Sequence, residues 1–196
     1  MSVYYFNGAK ILAPFTITSN EPIYDVDTVS LSKQRASQGV QRWELSFNTL
    51  TQPDNEADML VGIVSNIATA TTMTMPQLPS VSANNTAGVN LGVLANATAG
   101  ASSVDVTSNG DIVKGSFIKF SNHSKVYMVT ETVGAGPVTI NIFPKLRESL
   151  TTAHSMYTGD SVSFTYYRDI RSVRGITFID GVLSNAGTIE LVEAVI

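Results

Sequence analysis

The sequence predicts a mainly β protein. A discontinuous core domain, made from both ends of the chain and carrying one α-helix, receives a small β-domain inserted in its middle. Three observations lead there. Only 14% of the 196 residues are charged, while Ser, Thr, Asn and β-branched residues are plentiful, a composition that suits sheets with much mutually covered surface. From Ser103 onward, apolar runs of strand length alternate with Gly-, Pro- and Asn-containing turns. The strands expected after Gly159 are too few to bury their own apolar face, so they need the sheet of residues 1–78.

The elements follow in order. Ile11 to Ile17 is apolar and β-branched and reads as a strand. Gln41 to Leu50 alternates, with Trp43, Leu45 and Phe47 on one side and Arg42, Glu44, Ser46 and Asn48 on the other, the period of a half-buried strand. Between them Asn20 to Gly39 is polar and reads as a long loop or a weak hairpin arm. Thr51-Gln52-Pro53-Asp54 is a capping box with proline in the first turn, and Ala57, Leu60, Val61, Val64 and Ala68 follow at helical spacing. Strand character returns at Thr69–Thr72. No charge occurs between Asp58 and Asp105, and Pro79 to Gly100 is small and polar; it reads as weak strands entering the second domain rather than as a linker.

In that second domain Val104 and Val106 point inward from one strand. Phe117–Phe120, Val126–Thr130 and Val138–Phe143 are further strands, with turns at Ser108–Asp111, Ser121–Ser124 and Gly134–Pro137. Short strands with tight turns make a small sandwich or barrel of OB or SH3 size. Val162–Tyr167 is a strand. Arg168, Arg171 and Arg174 then punctuate a polar crossing, and Ile176–Ile179 and Thr188–Val195 supply two terminal strands. The expected division is a core of residues 1–78 and 161–196, with 79–160 inserted. None of the parts is a polyelectrolyte: 1–78 has four basic and seven acidic residues, 79–160 five and five, 161–196 three and four.

Chemistry is hard to find. There is no cysteine, hence no disulfide, thiolate metal site or Cys nucleophile. His123 and His154 are the two histidines, too few for a three-histidine zinc site. Neither sits in a nucleophile or metal motif, and His123, in a predicted turn, is expected to be exposed. Asp25 and Asp27 share a face if extended and read as a solvated acidic edge, with no calcium loop behind them. Gly134-Ala135-Gly136-Pro137 leads into a strand, not a helix, so it reads as a hairpin turn and not a phosphate loop. The net charge of −4, with no basic run, argues against sequence-independent nucleic-acid binding. Neither a secretory signal nor a membrane-spanning apolar stretch is expected. No catalytic, cofactor-binding or metal-binding residue is assigned, and the expectation is a protein that is not an enzyme and carries no cofactor. Tyr4, Tyr5 and Phe6 form either a strand docked in the core or an arm on a neighbouring subunit, with core packing the default.

One stretch is more specific. Asp111-Ile112-Val113-Lys114-Gly115-Ser116-Phe117-Ile118-Lys119-Phe120 leads through Ser121–Ser124 into Lys125-Val126-Tyr127-Met128-Val129. A glycine-rich turn, a strand and Pro144-Lys145-Leu146-Arg147 follow. This resembles a β-domain recurrent in tail proteins of long-tailed bacteriophages. The surrounding order is Arg42–Phe47, a capped helix, the insert, then terminal strands. Over about residues 40 to 180 it resembles the distal tail protein of siphophages. The resemblance implies a β-sandwich core with a helix and an inserted OB-like barrel. It implies six copies in a ring at the tail tip, with tail-tube and hub or fibre proteins as partners, and DNA passing through the lumen without specific binding. It also implies location in the virion after synthesis in the host cytoplasm. Gly115-Ser116 stands where that family commonly has Gly-Asp; the turn is expected to survive, since Ser also bonds locally. A myophage baseplate or tube-end protein would share the fold logic. A carbohydrate-binding module on the tail would use Trp43 or Tyr127 as a stacking platform.

Overall fold

The structure is a computed structural model. It describes residues 4–27, 29, 32–50, 57–58, 61–62, 68–78, 90–107, 112–134, 137–169, 177–179, 182–185 and 187–195. In chain order its strands are β1 (Tyr5–Phe6), β2 (Ala9–Asn20), β3 (Ile23–Asp27), β4 (Lys33–Ser37), β5 (Arg42–Leu50) and β6 (Thr71–Thr74). Next come β7 (Asn90–Gly92), β8 (Ser103–Thr107), β9 (Phe117–Phe120), β10 (Val126–Val133), β11 (Pro137–Phe143) and β12 (Ser155–Tyr157). The last are β13 (Ser163–Arg168), β14 (Thr177–Ile179), β15 (Val182–Asn185) and β16 (Ile189–Glu193). The protein is mainly β, with several antiparallel sheets.

Two six-stranded sheets divide the chain. The terminal sheet has the order β1-β2-β5-β16-β13-β6, and the middle sheet β7-β12-β9-β10-β11-β8. Strand β16 therefore sits between β5 and β13, pairing Ile189 with Phe47 and Leu191 with Leu45 on one side and Arg168 with Leu191 on the other. Trp43, Leu45 and Phe47 are buried, as the alternation predicts, and Ile189 and Leu191 join them. The middle sheet's edges are tied by a bridge between Val93 and Val106 and by Leu94 N–H donating to Asp105 O at 2.9 Å.

Local chemistry fixes several connections. Asn7 and Gly8 both have positive φ, the two-residue hairpin geometry that favours Asn-Gly, and they join β1 to β2. Strand β2 continues past the predicted Ile17 to Asn20, with a register break between Leu12 and Thr16. Pro14 falls inside that break, where its missing N–H costs no ladder bond. Gly134 has φ +111°, and a Cβ there would come within 2.9 Å of Pro137 O. Ser116 Oγ donates to Val113 O at 2.7 Å, holding the Lys114-Gly115 turn as expected.

Some expectations need correction. Arg168 is no part of a polar crossing: it ends β13 and is buried, because it shares the inward phase of Phe164 and Tyr166. Strand β14 does not enter the terminal sheet. It pairs with β15 in a two-stranded hairpin, a partner absent from the sequence reading. Of the two alternatives for Asn20 to Gly39, a long loop or a weak hairpin arm, the hairpin is the one present, β3 against β4. Of the expected helix, Ala57–Asp58 and Val61–Gly62 are helical, whereas the capping box, Leu60 and Val64 lie outside the described residues. So do the turn at Ser108–Asp111 and residues Arg171 and Arg174. The N-terminal aromatics split: Phe6 is buried and Tyr5 exposed.

Candidate functional site

The feature built with most care is the seam where the middle sheet lies on the terminal sheet. Strands β9, β10 and β11 each place apolar side chains on both faces. Ile118, Phe120, Tyr127, Val129, Ile140 and Ile142 enter the middle sheet's own core. Phe117, Val126, Met128 and Phe143 pack instead into the core of the terminal sheet. Continuous apolar runs such as Phe117-Ile118 and Val126–Val129 are what a strand covered on both faces requires. The Trp43 ring stands edge-on to Phe117 at 5.3 Å and to Phe143 at 6.2 Å, and its Nε1–H donates to Val126 O at 2.8 Å.

Polar groups complete the seam. Glu193 and Lys125 are 4% and 2% exposed and form a salt bridge. The Glu193 carboxylate also accepts the backbone N–H of Trp43 at 3.0 Å and of Val126 at 2.8 Å. One carboxylate thus takes donors from both sheets. Lys125 Nζ donates a second time, to Gln41 Oε1 at 2.7 Å, and lies 5.9 Å from the Trp43 ring centroid. Burial pulls the Lys125 ammonium below its ordinary pKa, and the Glu193 charge opposes that pull. A buried charge is tolerated only when paired and hydrogen-bonded, and both conditions are met. Further along, the Gln77 carboxamide mimics a strand: Phe117 N–H donates to its Oε1 at 2.9 Å and its Nε2 donates to Phe117 O at 3.1 Å. Ser124 Oγ donates to Ala194 O at 3.0 Å and Lys119 Nζ to Ser163 Oγ at 2.8 Å.

His123 does lie in a turn but is buried, at 7% exposure. Tyr127 OH accepts Arg147 N–H at 3.0 Å. Asn122 Oδ1 can only accept, so the imidazole's Nδ1–H donates to it at 2.7 Å, which leaves the neutral ring's Nε2 to accept the Tyr127 proton at 2.7 Å. Burial lowers the His123 pKa from 6.5 to about 4 and raises that of Tyr127 to about 12. The group is a neutral structural strut that anchors the Pro144–Arg147 segment. The His154 Nδ1 accepts Thr151 N–H at 3.1 Å. The charges of His154 and of the Glu148 carboxylate both act on His123, but the rings make separate hydrogen bonds. Among the described residues no group of three His, Asp or Glu is placed to hold a metal ion.

Asp25 and Asp27 are exposed on β3, and Asp25 faces Arg35 at 3.3 Å and Lys33 at 3.9 Å. Trp43 and Tyr127 are both buried, so neither offers a face for a sugar to stack on; the platform expected of a carbohydrate-binding module is not there. Sequence reading missed Glu193 and Lys125. A signal existed for the first: Ile189, Leu191 and Glu193 share the inward phase, so a carboxylate on that phase announces a buried partner.

No known protein family matches the chain, and no curated protein sequence matches it.

Proposed function

We propose that the chain is a structural virion protein, a subunit of the distal-tail ring of long-tailed bacteriophages. It joins the tail tube to the tip complex around a DNA channel. In this reading the terminal sheet is one layer of a β-sandwich core domain, residues 1–78 and 161–196. Residues 79–160 form an OB-like barrel mounted on it, the Val93–Val106 bridge being its point of closure. Six copies close into a ring through head-to-tail contacts, since a heterologous interface repeated about an axis closes on itself. The tube protein lies on one side of the ring, and hub or fibre proteins on the other.

The seam carries the proposal. A ring subunit must hold its attached domain at a fixed angle while the assembly bears load, and the buried, hydrogen-bonded Lys125–Glu193–Trp43 junction suits that. The order of elements along the chain, which supplies the resemblance, agrees. The low charge, 28 charged residues in 196, suits a surface covered by neighbours, and a lumen that is not basic lets DNA pass. No catalytic step is assigned. Among the described residues no helix is long and apolar enough to cross a membrane. A myophage baseplate ring differs from this reading in its neighbours alone.

Electron microscopy of whole particles or purified tails tests it. The expected result is this chain as a closed ring around a central channel. Finding it as an appendage off the tail axis, or absent from virions, overturns the proposal.

A further inference from the structure

In the seam a lysine, a carboxamide and a carboxylate meet, all three side chains belonging to buried residues: Lys125, Gln41 and Glu193. Lys125 Nζ donates to Gln41 Oε1 at 2.7 Å and also to the Glu193 carboxylate. An ammonium can only donate, so the Gln41 atom that faces it is the carbonyl oxygen. The carbonyl carbon lies one bond, about 1.2 Å, behind that oxygen, which keeps Nζ within about 4 Å of Cδ. The far end of the carboxamide is held too, Nε2 donating to Ser19 Oγ at 2.9 Å.

These are the parts of an amide exchange. A lysine attacks a carbonyl only after losing one proton from its ammonium, and burial favours the neutral amine. At Lys125 burial acts in that direction, against the Glu193 charge. The Glu193 carboxylate touches Nζ and is placed to take the proton. The backbone N–H groups of Trp43 and Val126 fix that carboxylate. Groups held in contact need no bimolecular encounter, and the saving in entropy lowers the barrier. Gln41 also borders a surface cleft of about 380 Å³, shared with Asn20, Val40 and Arg147, which gives a leaving nitrogen a way out.

We propose that Lys125 and Gln41 join in an isopeptide bond that the folded chain forms on itself. Glu193 takes one proton from the ammonium. The amine lone pair attacks Gln41 Cδ, the Nζ–Cδ bond forms, and the carbonyl electrons move to Oε1. As the carbonyl re-forms, the Cδ–Nε2 bond breaks. Nε2 leaves as an ammonium ion with the two protons that Nζ gives up, one of them by way of Glu193, which ends as a carboxylate. Nothing is oxidised or reduced, and no co-reactant enters. Each chain reacts once, so this is self-modification and not turnover. Gln41 precedes β5 of the terminal sheet and Lys125 precedes β10 of the middle sheet, so the bond ties the two sheets covalently across 84 residues of chain. It does not rest on the ring reading.

Intact-mass spectrometry of the full chain, denatured after incubation in its folded form, reads the bond. The expected mass lies one ammonia, about 17 Da, below that of the sequence. A tryptic digest should then contain one branched peptide that joins the segment of Gln41 to that of Lys125. Gln41→Ala and Lys125→Arg should each keep the full mass, with Trp43 emission as the fold control. Gln41→Ala leaves the Lys125–Glu193 pair in place and serves if Lys125→Arg does not fold. Glu193→Gln keeps an oxygen for the two backbone donors but cannot take the proton, so its cross-linking should slow by at least about 100-fold. A wild-type chain at the full sequence mass overturns the inference and makes the trio an ion pair with a hydrogen-bonded neighbour. An ammonia loss that maps to Asn7-Gly8, where succinimide closure changes the mass equally, or one that persists in Gln41→Ala, overturns it as well. Cross-linking of Glu193→Gln at the wild-type rate overturns the role given to Glu193.

Discussion

Two of the acid–base pairings among the described residues lie in opposite surroundings. Lys125–Glu193 lies buried in the seam, with Gln41 Oε1 accepting from the ammonium and two backbone N–H groups donating to the carboxylate. Asp25–Arg35 lies on the arm in water. Water screens the second and its long side chains lose freedom, so an exposed pair adds about 0–1 kcal/mol. The first is different in kind. Its removal as a pair need cost little, but removing one partner strands a buried charge, at about 3–5 kcal/mol. One pairing joins two sheets; the other lies on an exposed hairpin.

Substitutions can break that contrast. Glu193→Ala has the largest expected effect, near 5 kcal/mol, because Lys125 loses its counter-ion and two buried N–H groups lose their acceptor; chemical denaturation reads it directly. A loss below about 1 kcal/mol would place the pair in the same class as the arm's. Trp43→Ala follows at about 3–5 kcal/mol, through the cavity and the lost bond to Val126 O. In the native protein the Trp43 emission should be blue-shifted and should move red on unfolding.

A pH titration sharpens the comparison further. The unfolded His123 takes up its proton near 6.5, but the folded one resists until about 4. The unfolded state thus binds more protons in that window, and stability falls as pH drops through it, by at most about 3 kcal/mol. Below about 4 the folded imidazole is protonated too and this contribution falls no further. In His123→Gln the slope between those pH values should shrink; an unchanged slope would assign the acid sensitivity to other groups. The smallest effect belongs to Asp25→Asn, under about 1 kcal/mol and weaker still in salt.

How much of this was legible follows from which signals are local. The Trp43-Leu45-Phe47 alternation and the need of the late strands for an earlier sheet are pattern facts, and β5 and β16 are neighbours. Phe117–Phe120 read as a strand, but a continuous apolar run does not say what covers its second face. Asn7-Gly8 carried a hairpin signal that went unused. The burial of His123 was illegible, because a polar turn is ordinarily wet; the rings of Phe120 and Tyr127 lie against it. Lys125 precedes a strand, where a lysine is normally solvated, and its partner lies 68 residues away.

The position of β16 between β5 and β13 has a consequence for biosynthesis. The middle sheet draws on residues 90–157 alone, so it can form as soon as that stretch leaves the ribosome. The terminal sheet cannot. Until Ile189–Glu193 has been made, β1-β2-β5 and β13-β6 are two separate ribbons. Each presents a raw edge of unpaired backbone, the kind of template on which strands from other chains add. A nascent or truncated chain is therefore sticky at two edges that the finished one hides, and insertion of this single strand closes both at once.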